Sequence, residues 1–172
     1  MNELPTKILV ATDRSQNAFA AVRKAAETAH AFGAELHVVH VVPVAQPYHL
    51  FGADVEEPSI YEEDMQWARD LLGEQVRKIE ESGVKVTKAS LREGEPDAEV
   101  ISLGEEIVVL SEEIGAGLIV SGSRGLGGVR RALVGSVSSS IVRHAHCPVL
   151  VVRRQEKAWA VLSTSDQVEP TH

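Results

Sequence analysis

The sequence predicts an α/β fold, an open parallel sheet of five strands with helices on both faces. Short apolar runs, typical of buried strands, alternate with longer segments in which apolar residues recur at helical spacing. Strands separated by helices run parallel and are joined by right-handed crossovers. The length of 172 residues suits one such domain followed by a tail.

The first part of the chain supplies two predicted strands and one helix. Residues 7–12 form a short apolar run that predicts a buried strand. Ser15 suits the N-cap of a helix whose alanines and valine recur every three or four residues, and we expect this helix to end near Gly33. Residues 35–42 predict the second strand, which Pro43 closes.

The middle of the chain predicts a long loop, a helix and a strand. Residues 43–59 hold three prolines among aromatic and acidic residues, which indicates a variable loop. Apolar residues at helical spacing from Met65 to Ile79 predict the second helix, which ends at Gly83. Residues 84–91 predict the third strand.

The last part of the chain completes the alternation, with a glycine-rich loop before the fourth helix. The predicted turn, third helix, fourth strand, fourth helix and fifth strand lie at residues 93–96, 96–113, 117–120, 136–144 and 148–152. We assign residues 1–154 to this domain. Residues 155–172 contain little apolar material and predict a polar, flexible tail.

The composition argues against several classes of protein. The net charge of −8 argues against general nucleic-acid binding. No apolar run approaches the roughly 20 residues that span a bilayer, and the N-terminus lacks the pattern of a signal peptide. Cys147 is the only cysteine, so an internal disulfide is excluded. We therefore expect a cytoplasmic protein with no nucleic-acid or membrane partner.

A glycine motif in a basic segment is the most specific feature of the chain. Residues 121–154 hold six arginines and no acidic residue, a charge of +6 that leaves −14 for the rest. Within them Gly122, Gly125, Gly135 and Ser136 form Gly-x2-Gly-x9-Gly-Ser. Glycines let backbone N–H groups approach oxygens, and a following helix offers more donors. The motif predicts a phosphate site at the carboxyl end of a strand; the alternative is a flexible loop with a helix cap.

Other phosphate-binding and catalytic motifs are missing. The P-loop pattern Gly-x4-Gly-Lys-Ser/Thr does not occur, and the dinucleotide fingerprint would need glycine where Arg130 stands. The chain offers no set of serine or cysteine with histidine and a carboxylate that indicates nucleophilic catalysis. These absences favour a protein that binds its ligand over one that catalyses a reaction on it.

Together these segments resemble the universal stress protein family, in its ATP-binding branch, over about residues 5–154. Besides the glycine motif, the resemblance rests on KILVATD at 7–13, LHVVHVV at 36–42 and HCPVLVV at 146–152. It implies the strand order 3-2-1-4-5 of a Rossmann-like, adenine nucleotide alpha hydrolase-like sheet. It also implies that ATP binds between strands 1 and 4, the topological switch point at which such sheets bind ligands.

The resemblance implies which residues hold the nucleotide. Ala11 and Thr12 border the base, and Val41 holds adenine through its backbone. Asp13 faces the ribose or a phosphate-bound Mg²⁺ or Mn²⁺. A carboxylate suits such a metal, although Asp13 also suits a helix start. The phosphates and ribose are surrounded by Gly122, Arg124, Gly125, Gly135, Ser136, Val137 and Ser138.

The expected function is that of an ATP-binding universal stress protein, a nucleotide-dependent stress-response or signalling module with an unidentified protein partner. The alternative is a slow ATPase or phosphotransferase that uses the same site. We also expect a homodimer through strand 5. Residues Pro148–Val152 are apolar throughout yet lie at the predicted sheet edge, where unpaired N–H and C=O groups favour association. The resemblance implies the same dimer.

Overall fold

The computed structural model of the chain describes residues 4–13, 15–43, 58–81, 83–94, 101–124 and 134–153. These residues form one parallel sheet in the strand order β3-β2-β1-β4-β5. The strands are β1 (Lys7–Ala11), β2 (Glu35–Pro43), β3 (Val86–Gly94), β4 (Leu118–Gly122) and β5 (Val149–Val152). The predicted fold class and strand order are confirmed.

Helices cover both faces of the sheet. The helices are α1 (Gln16–Phe32), α2 (Pro58–Glu81), α3 (Ile101–Ile114) and α4 (Ser136–His144). On one face, α1 and α2 enclose a core that includes Ile8, Val10, Val22, Leu72 and Ile79. On the other face, α3 and α4 enclose a core that includes Leu9, Val39, Ile107, Leu110 and Ile141. Within these residues, no helix combines the length and apolar character that crossing a membrane requires.

Both ends of α1 follow from the sequence. The hydroxyl of Ser15 accepts a hydrogen bond from the N–H of Ala18 over 3.1 Å, so Ser15 is the N-cap as predicted. Gly33 ends the helix in the left-handed conformation, at φ 63°, and its N–H bonds back to the last turn. Alanines on the inner side of α1 are buried, which lets this helix lie close to β1 and β4.

α2 starts earlier and β3 ends later than predicted. α2 begins at Pro58, inside the segment 43–59 that was predicted to be a loop. Proline suits a first helical turn. The residues that follow it are mostly polar, so they show no apolar spacing that would predict a helix. β3 extends to Gly94, into the predicted turn, because it pairs with β2 as far as Pro43. Pro96 lies outside the described residues.

α3 and α4 touch at a glycine. A Cβ on Gly104 of α3 would lie 2.6 Å from the Cβ of Ser140 and 3.0 Å from the carbonyl oxygen of Val137, both on α4. Since real Cβ atoms do not approach this closely, the absence of a side chain at Gly104 sets the distance between the two helices. The position of α4 over the sheet depends on this contact.

β5 lies at the edge of the sheet, next to β4. Its residues are half-buried except Leu150, which is 37% exposed. The predicted edge position is confirmed, whereas the dimer through Pro148–Val152 stays a prediction. The predicted tail, residues 155–172, lies outside the described residues.

Candidate functional site

The carboxyl ends of β1 and β4 form a topological switch point. The two strands are neighbours in the sheet. The chain leaves them in opposite directions, because α1, which follows β1, packs on one face and α4, which follows β4, packs on the other. Open α/β sheets bind ligands in the crevice that such a divergence creates.

Hydrogen bonds hold the start of α4 against the end of β4. The N–H of Gly135 donates to the carbonyl oxygen of Ser123 over 2.7 Å, and the N–H of Ser123 donates to Val152 over 2.7 Å. The two ends of the glycine-rich segment are thereby joined to each other and to the sheet. Gly125, predicted to contact phosphate, lies outside the described residues.

The N-terminus of α4 has backbone donors that lack an intrahelical acceptor. Gly135 is the N-cap, in an extended conformation, and it supplies no side-chain hydrogen bond. The helical bonding starts with the N–H of Ser139, which donates to Gly135 over 2.9 Å. The N–H groups of Ser136, Val137 and Ser138 precede it in the first turn, where they have no intrahelical acceptor. Such a helix end attracts an anion through these donors and the helix dipole.

The hydroxyl of Ser138 is directed towards the strand. It donates to the carbonyl oxygen of Gly122 over 2.5 Å and lies 3.0 Å from the hydroxyl of Ser121. All three residues are buried. The side chain of Ser138 thus joins α4 to β4. Only its backbone N–H, and not its hydroxyl, belongs to the donors at the first turn of the helix.

Gly122 has a packing role that its motif did not reveal. A Cβ at this position would lie 2.8 Å from the carbonyl carbon of Asn17 and 2.9 Å from the nitrogen of Ala18. Both atoms belong to the backbone at the start of α1, which has no room to move aside. Glycine at 122 therefore lets the end of β4 pack directly on the first turn of α1.

Asp13 lies in a tight turn next to the segment that follows β4. Its Oδ1 accepts a hydrogen bond from the N–H of Ser15 over 2.9 Å. The hydroxyl of Ser15 in turn donates to the carbonyl oxygen of Arg124 over 3.2 Å. The half-buried carboxylate of Asp13 thus supports the start of α1, and the same turn brings it to the carboxyl edge where β1 and β4 diverge.

Ala11, Thr12 and Val41 do not share one face of the sheet. Ala11 and Val41 pack against the core under α3 and α4. Thr12 is buried on the other side, where its hydroxyl donates to Oε1 of Gln75 in α2 over 2.6 Å. The side chains of Ala11 and Val41 therefore lie together, and that of Thr12 points away from them.

Ser123 is a residue that the sequence reasoning missed. It is 3% exposed, directly after β4, and its hydroxyl has no hydrogen-bond partner in the described part of the chain. A buried polar group without a partner costs about 1–3 kcal/mol, so such groups are rare away from functional sites. Its position between the two glycines of Gly-x2-Gly is the sequence feature that could have identified it.

Within the described ranges, no group of three or more histidine, cysteine, aspartate or glutamate side chains could hold a metal ion. A metal bound through Asp13 would therefore take its other ligands from bound oxygens or water. Mg²⁺ is commonly held in this way, by one or two carboxylates together with phosphate oxygens.

Known proteins match almost the whole described chain. The sequence model of the Universal stress protein family matches residues 5–153. A Staphylococcus aureus (strain USA300) protein named as a universal stress protein is 37% identical over 149 residues, which are 87% of this chain and 84% of that protein. The structure of universal stress protein UspA from Lactobacillus plantarum is similar with a TM-score of 0.72 and 27% identity, covering 88% of this chain and 100% of that one. A Burkholderia pseudomallei member of that family matches with 31% identity and a TM-score of 0.62, covering 88% and 98%.

Proposed function

Since this chain belongs to the universal stress protein family, we propose that it binds ATP at the switch point between β1 and β4 and acts as a nucleotide-dependent stress-response or signalling module. The observation that carries the proposal is the hydrogen bond from Gly135 to Ser123. It holds the N-terminus of α4, whose first N–H groups have no intrahelical acceptor, at the edge of the sheet where the turn containing Asp13 also ends.

The chemistry of the surrounding residues supports a polyphosphate ligand. The segment from 121 to 154 has a charge of +6 and no acidic side chain to repel phosphate. The backbone donors of Ser136, Val137 and Ser138 would hold phosphate oxygens, as helix N-termini do. Asp13 would hold Mg²⁺ or Mn²⁺ that neutralises the phosphates. The buried hydroxyl of Ser123 would gain a partner at this site.

Related structures of the same fold have been solved with nucleotides bound. A universal stress protein from Archaeoglobus fulgidus has been solved in complex with dAMP, and another member of the family in complex with cAMP. Their identities to this chain are 24% and 23% with TM-scores of 0.57 and 0.60, so they share its fold. The choice of ATP for this chain comes from its own glycine motif and Asp13.

Binding rather than turnover is the role that the site favours. Apart from Asp13, the predicted site residues include no side chain that could act as a general base, and Asp13 already accepts the N–H of Ser15. Positioned backbone donors and a metal ion accelerate phosphoryl transfer only in part. We therefore propose that occupancy by ATP, and not its hydrolysis, is the signal.

The exposed edge of β5 supports a homodimer as the assembled form. Backbone N–H and C=O groups along Val149–Val152 pair with β4 on one side, and the other side is the edge of the described sheet. Leu150 presents apolar surface there. A two-fold axis would place two copies of β5 antiparallel, each strand meeting its own copy.

The Ser136→Pro variant tests the nucleotide site most directly. Proline at the first helical position removes one backbone N–H and suits the helix geometry. The extended conformation of Gly135, φ −71° and ψ 164°, is the one that precedes proline readily. The matched control is Ser136→Ala, which loses the same hydroxyl but keeps the N–H.

We expect the parent to bind ATP with a dissociation constant in the low-micromolar range or tighter, measured by titration calorimetry with Mg²⁺. Ser136→Pro should bind at least about tenfold more weakly than Ser136→Ala, the loss of a hydrogen bond to a charged group. Equal affinities of the two variants would show that the helix N-terminus does not hold the phosphates. A parent that binds no ATP would overturn the proposal as a whole.

A further inference from the structure

A groove of about 500 Å³ runs between α1 and α2, on the face of the sheet that carries these two helices. It extends along α1 from Phe19 to His30 and ends at Val84, before β3. Cavities of this size typically hold small organic molecules. The groove is separate from the N-terminus of α4, which lies over the opposite face of the sheet.

The walls of the groove are largely apolar. Phe19 is 44% exposed, whereas Val22 and Ile79 are buried at 7% and 6%. An exposed phenylalanine beside buried aliphatic side chains forms a concave apolar surface that water covers unfavourably. An apolar molecular body of aromatic or aliphatic character would gain by covering it.

The charged side chains along the groove include one cation, Arg23, that forms no salt bridge with another described residue. Glu27 pairs with Lys24 over 2.5 Å, and Lys78 pairs with Glu74 over 2.6 Å. Arg23 lines the same groove, and its charge acts on Glu27, but it forms no salt bridge within the described ranges. A guanidinium beside an apolar surface suits a carboxylate or sulfonate, which it binds in a bidentate manner.

A buried amide adds a second polar group. Gln75 lines the groove and is 5% exposed. Its Oε1 accepts a hydrogen bond from the hydroxyl of Thr12, but its Nε2 has no hydrogen-bond partner among the described residues. The terminal torsion of glutamine is soft, so an acceptor oxygen that enters the groove can meet this donor after a small rotation.

We propose that the groove between α1 and α2 is a second binding site, which takes a small amphipathic anion. The apolar body lies on Phe19, Val22 and Ile79, the anionic group pairs with Arg23, and an acceptor oxygen satisfies Gln75. This site is independent of the ATP site, and its test does not require that ATP binds.

The test uses the full chain and 8-anilinonaphthalene-1-sulfonate, an aromatic anion whose fluorescence rises in apolar surroundings. We expect saturable binding with one probe per chain and competition by octanoate. Phe19→Ala and Arg23→Gln should each weaken the probe at least about fivefold, from lost apolar burial and lost charge pairing. Phe32→Ala is the matched control, because Phe32 lies on the same helix, is 43% exposed and does not line the groove.

Four results would overturn the proposal. The first is binding that does not saturate, and the second is an equal effect of Phe19→Ala and Phe32→Ala. The third is full displacement of the probe by ATP, which would place the probe in the nucleotide site. The fourth is a dimer that Phe19→Ala converts to monomer in light scattering, which would identify a second copy as the occupant. Circular dichroism of each variant confirms that it is folded before it is titrated.

Discussion

The hydroxyl of Thr12 donates a hydrogen bond of 2.6 Å to Oε1 of Gln75, although 63 residues separate them in the chain. Both side chains are buried, and the carbonyl oxygen of Thr12 also accepts a hydrogen bond from Nδ1 of His40 over 2.7 Å. The end of β1 is thereby joined to α2 and to β2. This arrangement fixes the backbone that leads into Asp13.

Removing one partner of this pair should cost more than removing both. Thr12→Val keeps the shape of the side chain but removes the one hydrogen bond that the buried amide of Gln75 makes to the described residues. We expect a loss of about 1–3 kcal/mol of unfolding free energy. The double variant Thr12→Val with Gln75→Met leaves neither polar group of the pair behind, so it should be more stable than either single variant. Urea denaturation of all four proteins measures the coupling; strictly additive losses would contradict it.

Gly122→Ala should destabilise the fold by about 1–3 kcal/mol, because its Cβ would overlap the backbone of Asn17. Gly73→Ala is the control. Nothing lies within 4 Å of a Cβ at Gly73 in α2, so alanine there should stabilise the protein by about 0.5–1 kcal/mol. Thermal unfolding distinguishes the two variants. A Gly122→Ala variant as stable as the parent would show that the end of β4 has room for a Cβ. Valine at 122 would therefore report on folding as well as on phosphate binding.

Asp13→Asn should weaken ATP mainly when a divalent cation is present. Asparagine keeps an oxygen that can accept the N–H of Ser15, so the turn is preserved while the charge is lost. We expect a loss on the order of 1–3 kcal/mol with Mg²⁺ and a smaller loss with EDTA. Equal losses in both titrations would indicate contact with the ribose. No loss of affinity in either titration would indicate that Asp13 only stabilises the start of α1.

Leu150→Lys should shift the proposed dimer towards monomer, because it places like charges near the two-fold axis of paired β5 strands. Leu150 is a better position than Val149, which packs against the core under α3 and α4. Val109→Lys, on an exposed position of α3, is the control for added charge. Light scattering coupled to gel filtration measures both. A monomeric parent, or a dimer that Leu150→Lys leaves intact, would exclude this interface.

Cys147 should react slowly with iodoacetamide at about pH 8. Burial raises the pKa of its thiol, and the thiolate is the reactive form. Because the folded chain holds this proton more tightly than the unfolded chain, the reaction rate of the folded protein should still rise with pH after that of the urea-unfolded protein has levelled off. The same difference makes the fold less stable as the pH rises above the thiol's ordinary pKa. Identical pH profiles would contradict the raised pKa.

The strands and their order could be predicted because apolar runs and helical spacing are local signals. The start of α2 could not, since Pro58 suits a loop as well as a first helical turn and most of the residues that follow it are polar. The motif correctly marked the end of β4 at Gly122 and the start of α4 at Ser136. It did not reveal that Gly122 packs on α1 or that the hydroxyl of Ser138 bonds to β4, because both contacts join residues distant in sequence.

The hydrogen bond between Gly135 and Ser123 joins the two ends of the glycine-rich segment directly to each other. The start of α4 is held by this bond and by its contact with Gly104, both among the described residues. Loop closure entropy changes by only about 0.6 kcal/mol for each doubling of length. It follows that the nine-residue spacer is the part of the motif in which insertions and deletions should be tolerated best during evolution or engineering.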